Sequence, residues 1–229
     1  MISLQRRSGE PEIMDDLDCH GEVVHQTLRE LEVINRLLGG DNVTIDGIAR
    51  LIGKDSNARF VICDYGCGGG DMATKILRWA KRRKVDVDVV GIDANPHIVD
   101  FARKNSEGIS FEVMDVFSNK KDYDIITATL FVHHFDDEQL VTLFRSMNEH
   151  SRVGVVINDI HRHTVSYYSI RWLTQLFSRS AMVKFDAPLS VRRAFKKKEL
   201  MDILRKAGIS NYSLRWKWAF RWQLVWHNF

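Results

Sequence analysis

The sequence predicts an α/β fold built on a doubly wound sheet, and three observations carry that prediction. Residues 60–71 read Phe-Val-Ile-Cys-Asp-Tyr-Gly-Cys-Gly-Gly-Gly-Asp, an apolar run with β-branched residues, then glycines, then a helical stretch over 72–84. Such a run reads as a buried strand, and the glycines let the chain turn tightly and approach a ligand closely. Strand and helix patterns then alternate as far as residue 156, which argues a parallel sheet with helices on both faces. The chain closes on two stripes of period two, Tyr212, Leu214, Trp216, Trp218 and Phe220, then Trp222, Leu224 and Trp226, a hairpin whose tryptophans read as core packing.

Composition bounds the rest. With 229 residues, 45% hydrophobic and 28% charged, the chain can bury one substantial core, with appendages. No apolar run approaches the roughly 20 residues that span a bilayer, and the start lacks a signal-peptide apolar region, so no integral membrane segment and a cytoplasmic location are expected. Cys19, Cys63 and Cys67 lack metal-ligand spacing and suggest neither a disulfide framework nor a zinc site. The net charge of +3 is uneven, with ten Lys or Arg against Glu199 and Asp202 from residue 190 onward. A solvated helix face explains that run without nucleic acid. A homodimer is an assembly the sequence leaves open.

Along the chain, residues 1–21 are polar, acidic and irregular, whereas 23–38 carry apolar residues at helical spacing until Gly39 and Gly40 stop them. A second short helix covers 45–52, ended by Gly53. After the strand at 60–65 the glycines invite comparison with nucleotide-binding fingerprints. The dinucleotide pattern falls on Gly66, Gly68 and Asp71, so an acid replaces the third glycine and would repel a pyrophosphate at that helix N-terminus. Asp64 and Asp71 suit a ligand with positive charge instead; alternatively Asp71 is the N-cap of the next helix. Strands at 85–92, 109–114 and 123–129 follow, the first two ending in Asp93 and Asp115. An acid ending the second strand can hold ribose hydroxyls. His133 and His134 follow the fourth strand, a helix covers 139–147, and Asp159 and His161 follow a fifth strand at 153–157. An aromatic-rich insertion over 164–187 precedes a helix over 196–207 that Gly208 ends.

The order Asp64, Gly66, Cys67, Gly68, Gly69, Gly70, Asp71, then Asp93, then Asp115, resembles the class I S-adenosylmethionine-dependent methyltransferases over residues 58–160. The resemblance implies a Rossmann-like seven-stranded sheet with the last strand antiparallel. It implies N-terminal lid helices over 1–57, a methyltransferase domain over 58–229, and a substrate-covering insertion over 162–190. The cofactor would be S-adenosylmethionine, held by Asp64, Gly66, Cys67, Gly68, Asp71, Asp93, Ala94, Asn95, Asp115, Val116, Thr129 and Leu130. Similar pairs of histidines with an Asp after the next strand occur in natural-product O-methyltransferases, which makes His133 or His134 the base and Asp159 its orienting partner. Segments 10–16, 133–137 and 190–195 look like bacterial methyltransferases associated with polyketide pathways, which act on phenolic or quinone-like rings. On that likeness Met14, His161, Tyr167, Tyr168, Trp172 and Arg192 are assigned to the acceptor, with Arg193 as the alternative to Arg192 for an acidic substrate group; ordinary core is the other reading of the insertion, and a surface role that of either arginine. The acidic metal cluster of catechol-type O-methyltransferases is missing, so no metal is expected, and nucleic acid is disfavoured as substrate. A nicotinamide oxidoreductase and a non-catalytic binding module remain as other classes.

Overall fold

The computed structural model describes residues 3–53 and 58–228. One seven-stranded sheet runs in the order β3-β2-β1-β4-β5-β7-β6. Its first five strands are β1 (Arg59–Tyr65), β2 (Asp86–Asp93), β3 (Ser110–Val113), β4 (Tyr123–Thr129) and β5 (Ser151–Ile160), all parallel. β6 (Tyr212–Lys217) and β7 (Arg221–His227) form the hairpin, in which β7 pairs antiparallel with β5.

Both faces of the central strands are covered, which is why they read as continuous apolar runs rather than alternating ones. On one side α5 (Asp137–His150) and α8 (Lys197–Ala207) bury Leu140, Phe144, Leu200 and Leu204 against Ile126 and Leu224. On the other side lie α2 (Gly40–Ile52), α3 (Asp71–Arg83) and α4 (Pro96–Asn105), which bury Ile48, Leu51, Ile76 and Val99 against Ile62 and Val156. α1 (Glu22–Leu37) does not join the sheet; it forms a wall over the strand ends with Leu28, Leu31 and Ile34. The boundary expected at 57/58 lies outside the described residues. Among the described residues no helix is long and apolar enough to cross a membrane.

Several local expectations change. Gly40 opens α2 instead of stopping α1. Gly70, in the left-handed region at φ +81°, is the N-cap of α3, so Asp71 is the first helical residue and not the cap. β5 extends to Ile160, which puts Asp159 inside the strand. The insertion becomes two helices, α6 (Thr164–Phe177) and α7 (Ala181–Arg193). The hairpin tryptophans divide: Trp222 and Trp226 on β7 are core, whereas Trp216 and Trp218 are exposed. The cause is position, since β7 is sandwiched between β5 and β6, while Trp216 stands on the edge strand β6 and Trp218 in the turn that joins the two.

Candidate active site

The carboxyl ends of the parallel strands open into a cavity of about 850 Å³, within the range typical of small-molecule sites. The glycine turn forms its floor. Gly66 has φ +64°, and a Cβ there would lie 2.0 Å from the Phe131 ring, so no side chain fits. Asp93, at the end of β2, accepts the Gly68 N–H on Oδ2 at 3.1 Å and the Asn95 N–H on Oδ1 at 3.0 Å. The Ala94 N–H also favours this carboxylate, and its two oxygens together offer four lone pairs, so acceptor capacity remains for a ligand. Asn95 caps α4 by accepting from His97 and Ile98 N–H and donates to the Cys19 carbonyl, tying the N-terminal region to the floor.

Asp115 accepts the Phe117 N–H with Oδ1, a turn that leaves Oδ2 for a partner. Beside it Phe117 and Phe131 each meet Phe135 edge to face. Leu130, with φ +53°, departs from β4 in the left-handed region, its N–H held by the Asn158 carbonyl at 2.8 Å. A bulky residue there is strained, a feature that clusters at ligand sites. Thr129 shares a 2.7 Å hydroxyl contact with Thr44 of α2. Asp64 is buried, accepts from Thr127 Oγ1 at 2.8 Å, and burial pushes its carboxyl up to about 7. Burial likewise raises Asp71 to about 6. All the residues assigned to a cofactor, Cys67, Ala94 and Val116 included, line this one cavity.

The opposite end is built around two histidines in a single 3-10 turn, Val132–His134. His133 is 2% exposed; its Nδ1 lies 2.7 Å from Asp159 Oδ1, and its backbone N–H donates to Asp159 Oδ2 at 3.1 Å. Burial opposes ionisation of Asp159, yet the His133 imidazole and the N–H donors hold its carboxyl below the usual range. The other ring nitrogen, Nε2, faces Glu12 Oε1 at 3.6 Å. Glu12 is buried, its Oε1 has no hydrogen-bond partner among the described residues, and burial pushes its carboxyl up to about 7.

His134 is the more open of the pair. Its Nδ1 lies 2.5 Å from Asp15 Oδ1, and Asp15 Oδ2 pairs with Arg193. Burial works against the Asp15 charge, but His134 and Arg193 outweigh it and hold the carboxyl well below the usual range. Arg193 also donates to the His134 carbonyl at 2.5 Å. Asp186 holds the turn Ile13–Asp15 in place by accepting the N–H groups of Ile13 at 2.8 Å and Met14 at 3.2 Å. Glu12, His133 and His134 each bring a ligand atom to within 4.8 Å of the others, a set able to hold a metal ion.

The structure therefore separates the residues assigned to the acceptor. Met14 lines the cavity. His161 does not; it sits under the hairpin, 4.9 Å from the Trp222 ring and accepting from Trp216 Nε1. Tyr167 is buried at a separate recess with Leu4 and Gln5. Tyr168 and Trp172 point outward, 53% and 72% exposed, because α6 turns Ser166, Ser169, Ile170 and Leu173 to the cavity instead. Arg192 pairs with Glu10 at 2.8 Å, outside the cavity, and its neighbour Arg193 takes the inner position. Sequence reasoning missed Glu12, Asp15 and Asp186 as site residues, and named Arg193 only as the alternative to Arg192 for an acidic substrate group. The spacing of 186, 190 and 193 on one helical face was a signal for α7, but nothing local linked that face to residues 12–15.

A family model described as methyltransferase domain matches residues 56–208. No curated protein matches the sequence. Among solved structures, human N-acetylserotonin methyltransferase in complex with S-adenosylmethionine is 15% identical, with 96% of this chain and 60% of that chain covered and a TM-score of 0.66. An O-methyltransferase family 2 protein of Planctomyces limnophilus in complex with apigenin is also 15% identical, covering 93% and 63%, with a TM-score of 0.63. Magnesium protoporphyrin IX methyltransferase of Synechocystis, with bound S-adenosylmethionine, is 14% identical over 93% and 88%, with a TM-score of 0.53. The chain thus spans less than two thirds of the first two and most of the third.

Proposed function

The chain belongs to the methyltransferase domain family, and from that premise we propose that it transfers a methyl group from S-adenosylmethionine to an oxygen of an aromatic, phenolic or quinone-like small molecule. The observation that carries the reading is the continuity of one cavity from the glycine turn and Asp93 to the paired histidines. The residues at the first end suit that cofactor. Asp93 keeps acceptor capacity for ribose hydroxyls, Asp115 and Val116 line the cavity where an adenine would lie, and Asp64 offers a buried carboxylate to an ammonium. Bound there, S-adenosylmethionine supplies an electrophilic methyl group on a sulfonium.

The chain's own contribution is orientation and proton removal. In-line displacement demands that the acceptor be held close and aligned, which the apolar wall of Leu28, Leu31, Ile170 and Leu173 supports. A phenol has a pKa near ~10, so a base must take its proton as the new bond forms. His134 fits that role. Ionised Asp15 holds the proton on Nδ1, leaving Nε2 basic, and the ring lines the cavity. Asp159 orients His133 in the same way, but that ring is sealed against Glu12. In this reading His133 and Asp159 position the turn that carries His134.

Calorimetric titration with S-adenosylhomocysteine, with NADH as control, tests the cofactor. Binding of the former alone is expected; binding of NADH alone would return the fold to the oxidoreductase class. Turnover on a panel of phenols, anilines and activated ring carbons then separates oxygen, nitrogen and carbon acceptors. A second reading draws on the Glu12, His133 and His134 set, in which a divalent cation holds the acceptor oxygen. Dialysis against EDTA distinguishes the two: an unchanged rate supports the histidine base, whereas a loss that Mg²⁺ or Zn²⁺ restores supports the cation.

A further inference from the structure

Among the described residues three arginines are almost wholly buried, and they differ in what they bind. Arg162 donates to the carbonyls of Leu4, Gln5 and Ala194 and pairs with Glu199. Arg193 is engaged by Asp15 and the His134 carbonyl. Arg221, 4% exposed at the start of β7, is different: its Nε and Nη1 have no hydrogen-bond partner among the described residues. A desolvated cation with unused donors is costly unless a partner completes it. The nearby carboxylates of Asp159 and Asp41 favour its charge, but they are committed to His133 and to Asn35 and Lys75. Burial pushes the guanidinium down to about 10, still charged at neutral pH.

Arg221 also lines the cavity, beside Phe220 and Asn35. The space it occupies is made by Gly40, where a Cβ would lie 2.7 Å from the guanidinium carbon. Resting on the methyl-transfer reading of this cavity, we infer that Arg221 is the anchor for a carboxylate of a bound ligand. Two sources share that chemistry: the carboxylate of the cofactor's methionine part, and a carboxylate on the acceptor, which would then be an aromatic hydroxy acid.

The test compares the full-length protein with Arg221→Met, using matched pairs of probes that differ in the acid. S-adenosylhomocysteine and its carboxamide report the cofactor arm; 4-hydroxybenzoate and 4-hydroxybenzamide report the acceptor arm. In one pair the wild-type preference for the acid is expected to fall roughly ten- to a hundredfold in Arg221→Met, with affinity for the amide probe unchanged. Arg221→Lys is expected to retain part of that preference. The arm that responds identifies the source. Unchanged preference in both pairs overturns the inference, and if Arg221→Met fails to fold, Arg221→Gln is read by the same ratios. Failure of the methyl-transfer reading looks different, because the wild-type protein would then bind no S-adenosylhomocysteine while the benzoate pair still reports on Arg221.

Discussion

Asp64 is surrounded by protein, hydrogen-bonded to Thr127, and lifted by burial to about 7. Its folded pKa stands above that of an unfolded aspartate, so its contribution to stability is present below about pH 4 and is lost as pH rises toward 7. Ligand binding has the opposite sign, because an ammonium needs the ionised form. Affinity for S-adenosylhomocysteine is therefore expected to rise about tenfold between pH 6 and pH 8, and to be flat in Asp64→Asn; calorimetry at both pH values reads it. Asp93→Ala removes both oxygens assigned to the ribose and is expected to weaken the same ligand at least tenfold, and unchanged affinity would refute the assignment. These acids were legible in the sequence because the glycine turn fixes which strand ends lie beside it. Glu12 and Asp15 were not, and Arg193 could not be told from Arg192, since their roles depend on contacts across more than 100 residues of chain, from an irregular segment with no periodicity to read.

Elements show the same division between phase and placement. The aromatic content of α6 was visible, but its rotation was not: sequence places Tyr168, Trp172 and Ile170 on neighbouring turns, and packing of α6 against α7 decides which of them looks inward. Ile170→Ala is expected to raise the acceptor KM several-fold by removing cavity wall, with cofactor affinity unchanged. Trp172→Ala, on the 72% exposed face, is expected to change stability by less than about 0.5 kcal/mol and to leave KM alone. Steady-state kinetics and a melting curve decide both, and a KM increase in Trp172→Ala alone would put the acceptor on the outer face of α6. α7 was not read from the sequence as a helix of its own; the insertion read over 164–187 ends inside it. It runs to Arg193 despite an internal Pro188 and carries Asp186, Ser190 and Arg193 toward the N-terminal segment.

At the scale of the molecule the cavity has two builders. The strand ends of β1 to β3 and the glycine turn form the end we assign to the cofactor, and the alternation that makes them is written locally in the sequence. The end assigned to the acceptor depends on a strap, residues 3–16, laid across the turn at 132–135, the start of α5 and α7. Arg7 fastens it by donating to the carbonyls of His133 at 3.1 Å, Phe135 at 2.7 Å and Arg193 at 2.8 Å, while Ser8 N–H donates to the Arg192 carbonyl at 3.0 Å. The strap then delivers Glu12 and Asp15 to the histidines. Removing residues 1–16 should accordingly split the two functions. Asp64, Asp93 and the turn keep their own hydrogen bonds, so S-adenosylhomocysteine at a hundred times its Kd should still stabilise the shortened protein by about 2.7 kcal/mol. Turnover should fall by roughly a hundredfold or more, because His134 loses the carboxylate that fixes its proton and the acceptor loses part of its wall. Thermal melts with and without S-adenosylhomocysteine, set beside methyl transfer to a phenol, read both. Loss of the ligand-induced shift together with turnover would mean that the strap holds the whole cavity, whereas retained turnover would remove Asp15 from the reaction and with it the argument for His134.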